Sequence, residues 1–199
     1  MEFIAHRINT LRELEGLRTD VGVELDLRDA GDRLILRHDP FGDGEGFREY
    51  LERYRHGTMI LNIKSERIEH RVLELVREYG IERYFFLDSS FPMIWLLSQE
   101  GETNSAVRFS EFESIETVLA MEGRARWVWI DCFTRLPVDG KSAARLKAAG
   151  FKLCLVSPEL QGQPEKLEPY KAFLDAEGVE LDAVCSKIHN YDFWMGDRS

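Results

Sequence analysis

Val21-Gly22-Val23-Glu24-Leu25-Asp26-Leu27 reads as a β-strand, nearly continuous in apolar character, with two carboxylates set two positions apart. Alternate residues of a strand share a face, so Glu24 and Asp26 project together. Like charges aimed into a protein interior are costly without a cationic partner, and this strand therefore reads as the centre of a site. Three other apolar runs in the same third of the chain also end in polar residues. Phe3-Ile4-Ala5 leads into His6-Arg7, Leu34-Ile35-Leu36 into His38-Asp39, and Met59-Ile60-Leu61 into Asn62-Ile63-Lys64. In a parallel barrel the tips of different strands converge on one face. Two imidazoles, two carboxylates and a lysine gathered there can bind a divalent cation, hold a phosphate and move protons.

The alternation continues to the end of the chain. Leu11, Leu14 and Leu17, then Phe47, Tyr50, Leu51 and Tyr54, then Ile68, Val72, Leu75, Val76 and Tyr79 recur at helical spacing, the last set closed by Gly80. Strands are predicted at residues 3–5, 21–27, 59–63, 84–87, 106–107, 127–130, 153–156 and 183–185, with residues 34–37 as a hairpin partner of the second. Eight strands separated by helices are the pattern of a (β/α)8 TIM barrel. At 199 residues, near the lower limit of about 200 for such barrels, the expectation is a minimal barrel with short loops, a single domain over residues 1–199. Gly42-Asp43-Gly44-Glu45-Gly46 reads first as a surface turn, and alternatively as a mobile rim beside His38.

Composition narrows the function. A net charge of -10 and a pI near 5.1 argue against nucleic acid, whose phosphates select basic surfaces, and against adsorption to anionic membranes. An anionic small molecule stays possible, because a few Arg and Lys or a bound cation can reverse the sign within one pocket. No apolar run approaches the roughly 20 residues of a membrane span, and no signal-peptide pattern follows Met1-Glu2. Cys132, Cys154 and Cys185 are odd in number and sit in apolar stretches, which fits a reduced interior. The expected location is the cytoplasm. Tyr191, Phe193 and Trp194 suggest docking onto the barrel or onto a neighbour, so oligomerisation stays open.

The ordered set Ile4-Ala5-His6-Arg7, Asn9-Thr10-Leu11, Val23-Glu24-Leu25-Asp26-Leu27 and His38-Asp39 resembles the glycerophosphodiester phosphodiesterase family, a group of phospholipase-C-like barrels. Leu61-Asn62-Ile63-Lys64 is similar to the family's Glu-x-Lys, and Leu87-Asp88-Ser89-Ser90-Phe91 to its Ser-Phe signature. The likeness is strong over residues 1–64, fair to about 91 and architectural beyond. It implies a metal-assisted phosphoric diester hydrolase acting on a small glycerophosphodiester-like substrate. His6 and His38 become the general acid and base, Glu24, Asp26 and Asn62 the ligands of magnesium or calcium, and Arg7 and Lys64 the phosphate contacts, with Arg108 a further candidate. Imidazoles titrate near working pH, and oxygen ligands suit a hard cation.

The sequence departs from the family pattern at three places. Ile8 stands where the family has Gly, the Glu before Asn9 is missing, and Asn62 replaces a carboxylate, for which Asp88 or Asp131 could compensate. These departures support an alternative, a non-catalytic member that binds a phosphorylated ligand or partner protein. A third possibility keeps the histidines and releases a cyclic phosphate. Glu159 and Lys187 also end predicted strands, whereas His56, His70 and His189 read as surface residues.

Overall fold

Branched and aromatic side chains dominate the apolar runs and favour extended backbone. A computed structural model describes residues 1–196. In chain order its strands and helices are β1 (Glu2–Ala5), α1 (Leu11–Glu15), β2 (Gly22–Ala30), β3 (Arg33–Leu36), β4 (Glu45–Gly46), α2 (Phe47–Arg53), β5 (Met59–Ile63), α3 (Glu69–Glu78), β6 (Tyr84–Leu87), α4 (Phe91–Gln99), β7 (Ala106–Phe109), α5 (Ile115–Leu119), β8 (Trp127–Ile130), α6 (Gly140–Ala148), β9 (Lys152–Val156), α7 (Leu167–Ala176), β10 (Ala183–Ser186) and α8 (Tyr191–Met195). The fold is mixed α/β. Two compact units compose it: Ile4–Leu96, and Met1–Phe3 together with the chain from Leu97 onward.

The first unit is organised around β2, which is nine residues long where β1, β3 and β6 have four each. Along one edge β2 pairs in parallel with β5, from Val23 opposite Met59 to Leu27 opposite Ile63. The other edge is shared. β1 runs parallel to its start, with Ala5 opposite Val23, and β3 runs antiparallel to its end, with Leu36 opposite Leu27. The segments leaving β1 and β3 therefore approach each other along the same edge: the Ile8 amide donates to the Glu24 carbonyl, and the Arg37 amide to the Asp26 carbonyl, both at 2–3 Å range typical of backbone bonds (2.8 and 2.9 Å). Gly22 is required where β2 passes the chain before β5, because a Cβ there would stand 2.4 Å from the Thr58 carbonyl oxygen.

The α2 stripe is buried as read, whereas in α3 Leu73 takes an inside place outside the expected stripe and Leu75 and Tyr79 are only half-buried. Phe47, Tyr50 and Leu51 of α2 are inside, as are Val72, Leu73 and Val76 of α3. Tyr50 also donates its hydroxyl to the Ile8 carbonyl at 2.8 Å, tying α2 to the turn after β1. At the start of α1, Thr10 and Glu13 form a reciprocal capping box.

In the second unit β7, β8, β9 and β10 form a parallel run. The start of β1 joins it, with the Glu2 amide donating to the Asp182 carbonyl at 2.8 Å. The aromatic residues near the terminus dock onto their own chain. Trp194 is buried and gives its indole N–H to Ser157 Oγ at 3.0 Å, and Tyr191 meets Phe3 edge-on at 5.2 Å. Cys132, Cys154 and Cys185 are buried free thiols.

Every strand expected in a barrel position is present. β2 extends three residues beyond the reading because Arg28-Asp29-Ala30 carries no apolar signal, yet it pairs with β3. The glycine-rich stretch is partly strand: Glu45 and Gly46 form β4, opposite Leu36 and Ile35. Among the described residues no helix is long and apolar enough to cross a membrane.

Candidate functional site

Glu24 and Asp26 lie on one face of β2 and are almost wholly buried, at 1% and 0% exposure. Glu24 Oε2 accepts from the Arg7 amide at 2.7 Å and lies 3.8 Å from His6 Nε2; Oε1 accepts from Asn62 Nδ2 at 2.7 Å. Burial, and then the charge of Asp26, push the Glu24 carboxyl up to about 7 despite these donors. Asp26 is held from its own strand edge by Asn9, whose Nδ2 donates to Oδ2 and whose Oδ1 accepts from the Asp26 amide, both at 2.8 Å. Arg7 Nε stands 3.8 Å from Asp26 Oδ2, and Lys64 Nζ 3.7 Å from Oδ1.

Two oxygens in this group, Asp26 Oδ1 and Asn62 Oδ1, are buried with no hydrogen-bond partner. They sit on opposed residues of β2 and β5. Buried acceptors left without donors are costly, and oxygens of this kind are what a hard cation takes. Glu24, Asp26 and Asn62 thus fit a divalent cation as a donor set. Among the described residues no group of three or more His, Cys, Asp or Glu side chains is arranged to hold a metal, since the third oxygen here belongs to an amide.

The strand ends supply the cations. Arg7 has a φ of +56°, a left-handed conformation that costs a non-glycine residue roughly 1–2 kcal/mol, and this turns its amide onto Glu24. Ile8, standing in the family's glycine position, has no positive φ; it is buried and its amide belongs to the β2 ladder. Lys64 follows β5 and pairs with Asp88 at 3.0 Å. Asp88, at the end of β6, also has a left-handed φ of +59°.

His38 follows β3 and is 40% exposed, with Nδ1 2.8 Å from Asp39 Oδ1. It lines a cleft of about 500 Å³ with Asn9, Thr10, Leu36, Arg37, Asp43, Gly44 and Glu45. Beneath the loop, Arg37 donates to the carbonyls of Asp39 and Asp43 at 2.9 and 2.7 Å. A Cβ on Gly42 would stand 2.3 Å from the Arg37 guanidinium, so a larger residue there would displace that side chain. One side chain outside the family motifs joins the group: Arg28 donates from Nε and Nη2 to the His38 carbonyl at 3.1 and 2.8 Å, and from Nη1 to the Lys64 carbonyl at 2.7 Å.

The structure brings His6, Arg7, Glu24, Asp26, Asn62 and Lys64 into one contact network and links His38 to it through backbone. Asn9 and Arg28 carry no role in the sequence reading. Asn9 could have been found from its place between the histidine turn and the cap, and Arg28 from the two-residue step Glu24, Asp26, Arg28 along one strand face. The remaining candidates lie in the second unit. Arg108 pairs with Asp131 and lies 3.6 Å from Glu113, with its guanidinium 5.9 Å from the Phe133 ring centre. Asp131 also accepts from Gln161 at 2.6 Å, and burial holds its carboxyl above the ordinary value. Glu159 accepts from Ser157, Ser186 and the Lys187 amide.

No protein-family model and no curated protein matches the sequence. Among solved structures the chain is similar to a glycerophosphodiester phosphodiesterase from Agrobacterium tumefaciens strain C58. The TM-score is 0.68 at 18% identity, over 94% of this chain and 97% of that one. It is also similar to a glycerophosphoryl diester phosphodiesterase from Parabacteroides distasonis ATCC 8503, with a TM-score of 0.63 at 12% identity over 100% and 88% of the two chains. At these identities what is shared is the fold.

Proposed function

We propose that this chain, which has the fold of glycerophosphodiester phosphodiesterases, is a single (β/α)8 barrel domain that hydrolyses a small glycerophosphodiester-like substrate with a divalent cation. The observation that carries this is the buried group on β2: two carboxylates flanked by His6, Arg7 and Lys64, with two acceptor oxygens left without donors. A salt bridge alone does not account for it, because neither cation comes closer than 3.7 Å to Asp26.

Glu24, Asp26 and Asn62 would hold magnesium or calcium, which when bound neutralises charge on the phosphate and on the oxygen that attacks it. Arg7 and Lys64 grip the non-bridging phosphate oxygens, with Lys64 drawn from its pair with Asp88. One of His6 and His38 accepts the proton of the attacking oxygen, and the other gives a proton to the departing alkoxide. Glu24 Oε2 lies 3.8 Å from His6 Nε2, and Asp39 on His38 Nδ1 leaves Nε2 as the exchanging atom. The open cleft beside His38 suits a compact alcohol. Free buried cysteines support a reducing, cytoplasmic setting, and Arg108 stays a candidate phosphate contact.

His6→Ala and His38→Ala are each expected to lower turnover of glycerophosphocholine or a similar diester by about 10²–10⁴-fold. Full turnover in both variants on every diester tried overturns the assignment. A second reading, a binding-only protein, is favoured by the Asn62 amide, which occupies Glu24 Oε1 where a cation would otherwise sit. Calorimetric titration with magnesium and calcium separates the two, since the hydrolase requires cation binding.

A further inference from the structure

We propose that Arg28 is a positioning residue whose guanidinium clamps the His38 and Lys64 segments at a set span across β2. The roles of His38 and Lys64 themselves rest on the proposed function. Arg28 continues the two-residue series of Glu24 and Asp26 and so faces the same side of the strand. It lies on the part of β2 that outruns its partner, since pairing with β5 ends at Leu27 opposite Ile63. On the other edge β3 is still paired there, with Ile35 opposite Arg28, and His38 follows two residues past the end of β3, while Lys64 follows β5 directly.

A single planar fork holds both. Nε and Nη2 converge on the His38 carbonyl, while Nη1 takes the Lys64 carbonyl. Because the guanidinium nitrogens are rigidly spaced, the distance between those carbonyls is set by the group and not by loop flexibility. Lysine has one nitrogen and cannot bridge them in this way. The bonding is also unusual in its acceptors. Arg7 and Lys64 face carboxylates, whereas all three bonds of Arg28 go to main-chain oxygens, which a merely charge-balancing arginine would not choose.

The experiment uses the full chain with Arg28→Lys and Arg28→Gln. Three quantities are read: kcat and KM on a glycerophosphodiester, and the ring Cε1–H resonance of His38 followed through pH by NMR, assigned with His38→Gln. The first variant keeps the charge and loses the bridge; the second loses both. Each is expected to lower kcat about 10–100-fold, the scale of an ångström-level misplacement, and to move the resonance and titration midpoint of His38 while those of His56 and His70 stay in place. KM in Arg28→Lys should change less than kcat.

Two results overturn the proposal. One is wild-type kcat and an unmoved His38 resonance in Arg28→Lys, which assigns Arg28 to charge alone. The other is a lowered melting temperature in both variants with kcat and the His38 resonance unmoved, which makes it a structural brace. Should Arg28→Gln not fold, Arg28→Lys is decided by the same spectrum. The NMR measurement needs no turnover, so loss of the proposed function, seen as an active His38→Ala, leaves the Arg28–His38 coupling separately readable.

Discussion

Glu24 shows how much one buried carboxyl can impose. Its folded-state value of about 7 stands above the ordinary 4.5, so between these values the folded protein holds more protons than the unfolded chain. Stability therefore falls as pH rises. The favourable contribution is complete below about pH 4.5 and lost as pH climbs through about 7; at 1.36 kcal/mol per unit it amounts to on the order of 3 kcal/mol. Urea unfolding of cation-free protein between pH 5 and 8 should show this decline, and Glu24→Gln should flatten it. A variant that declines in parallel with the wild type would remove Glu24 as the cause. Asn62 works in the opposite sense, because its amide proton donor lowers the cost of the neighbouring charge while its own oxygen stays without a donor.

At the level of elements, β2 decides the geometry through its length and its shared edge. Since β1 and β3 occupy the same side of it, the turns carrying His6 and His38 start from carbonyls two residues apart on one strand, about 6–7 Å by strand rise. The same packing leaves no room at Gly22, where an added methyl meets the Thr58 carbonyl at 2.4 Å. Gly22→Ala is expected to cost about 1–3 kcal/mol in chemical denaturation and to depress activity by shifting β5, which carries Asn62 and leads into Lys64. An Ala variant as stable and active as the wild type contradicts that role for the glycine. Periodicity announced the strand but not its final three residues, because pairing with β3 stabilises Arg28-Asp29-Ala30 without any apolar pattern to mark it.

For the whole molecule, a ligand that binds only the folded state stabilises it by mass action. Calcium or magnesium at about 100 times its dissociation constant should add ~2.7 kcal/mol, read as a rise in melting temperature, and Asn62→Asp should strengthen the effect by restoring a charge. No shift with either ion in the wild type argues against a cation at this site. The strands, the carboxylate pair and the histidine-bearing turns were legible in the sequence, because strand periodicity and motif order are local properties. What tertiary structure alone decided is which atoms meet. It turned Ile8 into the ladder and the strain onto Arg7, gave Asp26 to Asn9, placed the terminal aromatics on their own chain, and set Arg28 across two strand exits. Such contacts join residues at least 10 positions apart. The physical reason is that edge sharing, register and strand length depend on pairing between distant segments, which no local pattern encodes.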